Sequence, residues 1–352
     1  MNIRIPSADM NRMMKIVGQS LSKLSENVEL IHDNNVLAIR GTDGVISTVA
    51  TAPLLGGTGE SFCVDGGMLA RVCATCRGEI QIEANDKVCT IKGAGRTRIP
   101  VVPSKVKAFE PVTGNGMTVK GSELCRCYGK ISYAISTNQA RVALTGVLLN
   151  ADGGKLTLAA LDGFQLAVES TACDGDDMKV LVPGAFMKMV AVSVLPDDDV
   201  KFVTDGKRVQ ITTADLMANC PLLSDSFPDY ERMLPTEFKT ETLVRVDAIV
   251  DALKSGSVVL SKDMAVLLDV SNGSIHIRNR SENGEFEADV PCEIQGEDMR
   301  IGFNERYLLS ALNMADEDEA VIKLSGPVSP VIVQGKGKDG IHLLLPARIF
   351  GI

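Results

Sequence analysis

Few side chains able to do chemistry stand at spacings that would let them do it. Cys73-Ala-Thr-Cys76 is the single cysteine pair at metal or redox spacing. A zinc site needs about four ligands, and no second pair follows to complete one. The nine cysteines are odd in number and irregularly spaced, which suits structural thiols rather than a disulfide framework. His32, His276 and His342 form no spaced pair. The acidic runs at 174–177, 197–199 and 316–319 sit at expected element ends and lack the alternating ligand ladder of a calcium loop. Gly93-Ala-Gly95 has neither a third glycine nor a following helical pattern, so it is no dinucleotide loop. Asp225 and Asp229 flank a turn, and no nucleophile motif, phosphate loop or His–carboxylate set accompanies them. The chain reads as non-catalytic, with neither metal nor cofactor expected.

The cations are better organised. Met10, Met13, Met14, Val17 and Leu21 follow the i, i+3, i+4, i+7, i+11 spacing of a helix with one buried face. At about 100° per residue, Arg12, Lys15, Gln19 and Lys23 share the opposite arc. Leu124, Cys127, Tyr128, Ile131 and Ile135 repeat the stripe, with Arg126, Lys130 and Tyr133 opposite. Ile249, Ala252, Leu253 and Leu260 repeat it again, leaving Asp251, Lys254 and Ser255 exposed. These exposed arcs hold few acids in a chain whose net charge is -9. Net charge is only a sum, and a locally basic surface is compatible with it.

The elements that carry these cations occur three times. Met10/Leu124/Ile249, Met14/Tyr128/Leu253, Leu21/Ile135/Leu260 and Ser22/Ser136/Ser261 fall into register without a gap. A second helix recurs through Met68/Phe186/Tyr307 and Leu69/Met187/Leu308, with Asp65 and Asn304 as N-caps and Pro183 in a first turn. It carries Arg71, Arg77, Lys188 and Arg306 as its basic residues. Between the helices lie alternating runs broken by Asp43-Gly44, Asp162-Gly163 and Asn283-Gly284, which are hairpin signals. Each repeat therefore reads as strand, helix, hairpin strands, helix and further strands: an α+β unit with two helices packed on antiparallel sheet. Turn-rich linkers near 109–116 and 233–239 place domains at 1–113, 117–235 and 240–352.

Length and composition agree. At 352 residues the chain can hold two or three full cores, and with no Trp they must be filled by aliphatic residues and Met. No run of eighteen apolar residues suggests a membrane span, and the alternating, charged N-terminus is unlike a signal peptide. A cytoplasmic location is expected.

Over its whole length the chain resembles the bacterial β sliding clamps, the processivity subunits of DNA polymerase III. The most specific match is Phe227-Pro-Asp-Tyr-Glu-Arg-Met-Leu-Pro235, preceded by Pro221-Leu-Leu-Ser-Asp. Ile301-Gly-Phe-Asn-Glu-Arg-Tyr-Leu-Leu is similar to the family's second helix of domain three. Leu161-Asp-Gly-Phe-Gln-Leu-Ala167 and Leu343-Leu-Leu-Pro-Ala-Arg-Ile349 are similar to two further family segments. The resemblance implies three sliding-clamp domains forming half of a six-domain ring, closed by a head-to-tail homodimer around double-stranded DNA. Partners would be the DNA, a second copy, and the replicative polymerase and clamp loader through short linear motifs.

It also implies sites. The DNA-facing cations would be Arg12, Lys15, Lys23, Arg71, Arg77, Arg126, Lys130, Arg141, Lys188, Lys254 and Arg306. Many weak phosphate contacts of this kind attract a duplex without reading its sequence. A partner-peptide pocket would comprise Leu144, Leu161, Gly163, Leu166, Pro228, Arg232, Met233, Leu343, Leu344, Pro346 and Arg348. Apolar lining with two arginines suits an extended peptide with apolar anchors. The dimer interface would bring Arg96, Arg98 and Ile99 against Val259 and Leu260 of the second copy.

Three features depart from the family. Phe164-Gln165 replaces a His-Arg pair, Pro183-Gly-Ala185 lacks a basic pair, and Phe350-Gly351-Ile352 extends the C-terminus. A clamp-fold interaction scaffold that does not encircle DNA is the competing function, and the charge on the helix faces separates the two.

Overall fold

The computed structural model describes residues 1–22, 26–104, 106–260, 265–315 and 317–347. It divides into two compact units. The first holds Met1–Cys125, Asn150–Lys155 and Ala172–Ser224; the second holds Arg126–Leu149, Leu156–Thr171 and Asp225–Ile352. The helices are α1 (Ser7–Gly18), α2 (Gly66–Thr75), α3 (Gly121–Ile131), α4 (Gly184–Ser193), α5 (Val246–Ser257) and α6 (Glu305–Met314), two to a repeat. Among the described residues no helix is long and apolar enough to cross a membrane.

The triplication is written into the backbone. The opening strand of each repeat pairs with the strand after its second helix, ending on Pro6↔Glu79, Lys120↔Asp199 and Arg245↔Glu319. The next residue starts the first helix, and its N–H donates to a carbonyl in the loop beyond the second helix. These bonds are Ser7 to Gly78 at 2.7 Å, Gly121 to Asp198 at 2.8 Å and Val246 to Asp318 at 2.9 Å. On its other side the opening strand of the second and third repeats meets a glycine of positive φ, Gly175 (+118°) and Gly296 (+121°). A Cβ at either would collide with the strand's backbone, so glycine is required there.

The caps follow the sequence closely. Asp65 accepts from the N–H of Met68 at 2.6 Å, and Asn304 from that of Arg306 at 3.0 Å. Pro183 closes the strand Met178–Pro183 immediately before α4 rather than entering the first turn. Its fixed φ suits both settings. The first helices are shorter than the aligned stretches. α1 stops at Gly18, and α3 gives way to a tight turn at Ser132–Ala134. Ser22 and Ser136 thus lie beyond their helices, and Ser261 falls outside the described residues.

In the first unit, Ser47–Pro53 of repeat one pairs with Leu216–Pro221 of repeat two, joining the two repeats in one sheet. A second sheet there runs from Gly56–Thr58 to an edge at Arg96–Pro100. In the second unit, Gln165–Ala172 of repeat two pairs with Ile341–Leu344 of repeat three. Beyond that seam lie Val331–Gly335, Glu319–Leu324, Thr240–Arg245 and the long strand Gly284–Gly296. The third repeat's core is filled by Leu253, Ile301, Phe303, Leu308, Leu312 and Leu344, aliphatic apart from Phe303.

Candidate partner pocket and nucleic-acid interface

A tight turn sets the shape of the expected pocket's mouth. The Asp162 carboxylate accepts from the N–H groups of Phe164 (2.7 Å) and Gln165 (2.9 Å) and from the Gln165 amide nitrogen (3.0 Å). Gly163 supplies the positive φ of +102°. Phe164 is thereby turned outward, 57% exposed, and its ring stacks on Tyr307 of α6 with centroids 6.0 Å apart. Leu345, also exposed, donates its N–H to the Phe164 carbonyl at 2.9 Å. The Arg141 guanidinium lies directly over Gly163, where a Cβ would come within 3.0 Å of it. The result is an apolar shelf with a cation at one end, suited to an extended peptide with an apolar anchor and an acidic flank.

The other expected lining residues divide. Leu144, Leu161 and Leu343 are buried with a small exposed remnant; Gly163, Pro228 and Pro346 are half-buried. Met233 is exposed, and Arg232 is exposed and paired with Asp229 at 2.8 Å. Two assignments are corrected. Leu166 and Leu344 have no exposed surface at all. Both faces are covered over residues 165–169 and 342–344, and Leu344 belongs to the third repeat's core. A residue without surface cannot touch a partner. Arg348 and the 350–352 extension lie outside the described residues.

The basic candidates divide too. Lys15, Arg71, Arg77, Arg141, Lys188, Lys254 and Arg306 are exposed. Arg77 also caps the end of α2, donating to the carbonyls of Ala74 (3.1 Å) and Cys76 (3.0 Å). Arg12 is held bidentately by Asp215, whose hydrogen bond pushes the guanidinium pKa further up. Arg126 donates to Glu169 at 3.1 Å and to the Ser170 carbonyl at 3.0 Å. Lys130 is buried, 3.8 Å from Glu169, and cannot face DNA. Tyr133, expected on the same outer arc, is turned inward and its hydroxyl bonds to His342 Nδ1 at 2.9 Å. The physical reason is Glu169: a buried carboxylate draws the neighbouring cations inward. Burial, then the Lys130 charge, lowers His342 to about 4, and burial pushes Tyr133 up. Lys23 lies outside the described residues.

At the expected dimer interface, Arg96 and Arg98 are exposed on the edge strand, and Val259 and Leu260 are half-buried. Ile99 is corrected: strand alternation turns it into its own protomer, where it is 5% exposed. Val258, 79% exposed, is the residue in that stretch that the sequence reading passed over. Cys73, of the Cys-x-x-Cys pair, is buried, and desolvation pushes its thiol up to about 12, away from thiolate chemistry.

Glu169, Tyr307 and Leu345 were also missed. Glu169 had a signal, an acid interrupting the apolar run Leu166-Ala-Val168. The surface left on half-buried Tyr307 and exposed Leu345 had none, since each sits in an apolar pattern that reads as core.

Comparison with known proteins agrees with this architecture. Residues 118–229 match the family described as DNA polymerase III beta subunit, central domain, and residues 231–348 match its C-terminal domain. The chain is 28% identical over 347 residues to the beta sliding clamp of Pseudomonas aeruginosa, covering 94% of each. It is 27% identical over 276 residues to that of Caulobacter vibrioides, covering 73% of each. Among solved structures, a P. aeruginosa sliding clamp bound to griselimycin superposes with a TM-score of 0.94 at 24% identity, covering 99% of this chain and all of that one. The DNA polymerase III beta subunit of Thermotoga maritima superposes with a TM-score of 0.93 at 21% identity, covering 99% of each chain. The three-repeat fold, the two matched domains and the near-complete coverage place this chain in the beta sliding clamp family, the beta subunits of DNA polymerase III.

Proposed function

We propose that this chain is a DNA sliding clamp: two copies close head to tail into a ring around duplex DNA and tether the replicative polymerase for processive synthesis. Its domains are 1–113, 117–235 and 240–352. It performs no catalysis, works in the cytoplasm, and receives polymerase and clamp loader through the shelf built by Phe164, Tyr307 and Leu345, with exposed Met233 as a further contact. Exposed Lys15, Arg71, Arg77, Arg141, Lys188, Lys254 and Arg306 supply diffuse attraction for the phosphate backbone. Such contacts permit sliding because none reads a base.

One observation carries the two-copy reading. Repeats are joined by antiparallel strand pairing, once in each unit. Among the described residues, the strand Arg96–Pro100 of repeat one and the first half of Gly284–Gly296 in repeat three are left as edges of the same kind. Natural sheets rarely leave long edges open, and a second copy would close both.

The test is primer extension on a long single-stranded circle with the cognate polymerase and loader. The chain should lengthen the products made in one binding event, and Met233→Asp should abolish the gain. Product lengths indifferent to the chain would reject the proposal.

A further inference from the structure

We propose that Tyr133 is the positioning residue of the shelf, tying together the three pieces of chain that carry Phe164, Tyr307 and Leu345. This rests on the partner shelf proposed above and says what holds it in shape.

The shelf is assembled from separate elements. Phe164 comes from a turn of repeat two, Leu345 follows the strand Ile341–Leu344 of repeat three, and Tyr307 stands on α6. Tyr133, in the tight turn after α3, is bonded towards all three. Its carbonyl accepts from the Gln165 amide nitrogen at 3.3 Å. The same amide bonds the Asp162 carboxylate that closes the Phe164 turn. The Tyr133 hydroxyl bonds His342 Nδ1 at 2.9 Å, three residues before Leu345. The His342 ring in turn hydrogen-bonds the backbone of Met314, the last residue of α6. A neutral imidazole offers one donor and one acceptor, so a ring bonded on both sides is held in one tautomer and one orientation. His342 is buried, so solvent does not compete for these bonds. The Phe164–Tyr307 pair, with centroids 6.0 Å apart, lies toward the far end of the stacking range. A small drift between the turn and α6 would separate the rings.

The first seam shows that the joint itself does not need this network. Ser47 pairs with Asn219 where Leu166 pairs with Leu343, and Ser47 and Leu166 each lie four residues beyond the aspartate of their turn. By that register Ile46 stands for Gln165 and Ala218 for His342, and the aligned first helices put Gln19 in the place of Tyr133. The Asp43 carboxylate closes its turn by the same pair of N–H bonds, at 2.8 and 2.7 Å. Ile46 and Ala218 have no polar side chain to add. Gln19 is exposed, with its amide 3.5 Å from the Lys15 carbonyl of its own helix. Phe186, in the place of Tyr307, is wholly buried. Repeats therefore turn and join without these bonds, and the seam that has them is the one whose turn carries an exposed aromatic ring. The network serves that surface rather than the joint.

Peptide affinity of the full chain, read by anisotropy well below the melt, tests the role. Fluorescein-labelled peptides tiling the cognate polymerase would be titrated and the tightest binder kept as the probe. Tyr133→Phe keeps the ring and removes the hydroxyl, and should weaken that peptide about fivefold. In a Phe164→Ala background the same change should cost less than about twofold, because the ring being positioned is gone. Asp215→Asn loosens the other unit and should leave affinity within about twofold, which separates positioning from general destabilisation. Native affinity in Tyr133→Phe, or fully additive losses in the double variant, would overturn the positioning role while leaving the shelf standing. So would equal losses in Tyr133→Phe and Asp215→Asn. If no polymerase peptide binds the native chain, the shelf is rejected and this role with it.

Discussion

The seam in the first unit and the seam in the second share a backbone joint but are filled with different chemistry. At the first, Ala50 faces Leu216 and both are buried. Arg12 reaches Asp215 where both side chains keep 28% of their surface. Ser20 and Thr48 share a 2.5 Å hydrogen bond beneath. At the second, the register puts Glu169 where Ala50 stands. Its carboxylate fills the space over Gly340, into which a Cβ would collide. Arg126, Lys130 and His342 gather around it, with Tyr133 bonded to the histidine. The position equivalent to Arg12 is Arg126, so the same helix residue answers a partially solvated acid in one place and a buried one in the other. Strand pairing sets the joint's geometry; the side chains decide how strongly it resists losing one member.

Glu169→Gln should therefore have the largest effect. It removes the buried negative charge that Arg126 and Lys130 approach, and loss of a buried partner costs about 3–4 kcal/mol. Denaturant unfolding of native and variant chains should differ by that amount. A change below about 1 kcal/mol would make the two seams equivalent after all.

The second seam should also respond to pH. His342 is held near 4 in the folded chain against 6.5 when free, so its neutral form contributes stability above pH 6.5. The unfolded chain binds a proton first as pH falls, and stability declines between 6.5 and 4 by roughly 3 kcal/mol. His342→Gln should flatten that part of the stability–pH curve. An unchanged slope would place the titrating group elsewhere.

Smaller effects are expected at the surface. Phe164→Ala removes one member of the stacked aromatic pair and should weaken partner-peptide binding about tenfold, roughly 1.4 kcal/mol, without altering the melt. Fluorescence anisotropy with a labelled polymerase peptide measures it, and unaltered affinity would move the peptide off the shelf. Asp215→Asn should cost least, about 1 kcal/mol, since Arg12 keeps access to water when its partner is lost.

Much of this architecture was legible in the sequence because it depends on local signals. The threefold register, the caps at Asp65 and Asn304 and the turns at Asp43-Gly44 and Asp162-Gly163 are written in adjacent residues. What escaped depends on distant partners. Lys130 reads as an outer-face cation until Glu169, thirty-nine positions on, is folded against it. Leu166 and Leu344 read as pocket lining because one strand's alternation does not reveal that both faces are covered. Ile99 reads as an interface residue because the resemblance does not reveal that its side chain is buried in its own protomer.

Topological retention tests the clamp reading most directly. The chain would be loaded by its cognate loader onto nicked circular duplex, the free protein removed by gel filtration, and the circle then cut once. Retention on the intact circle and release on linearisation are predicted. Equal retention on both, or none on either with an active loader, would contradict encirclement.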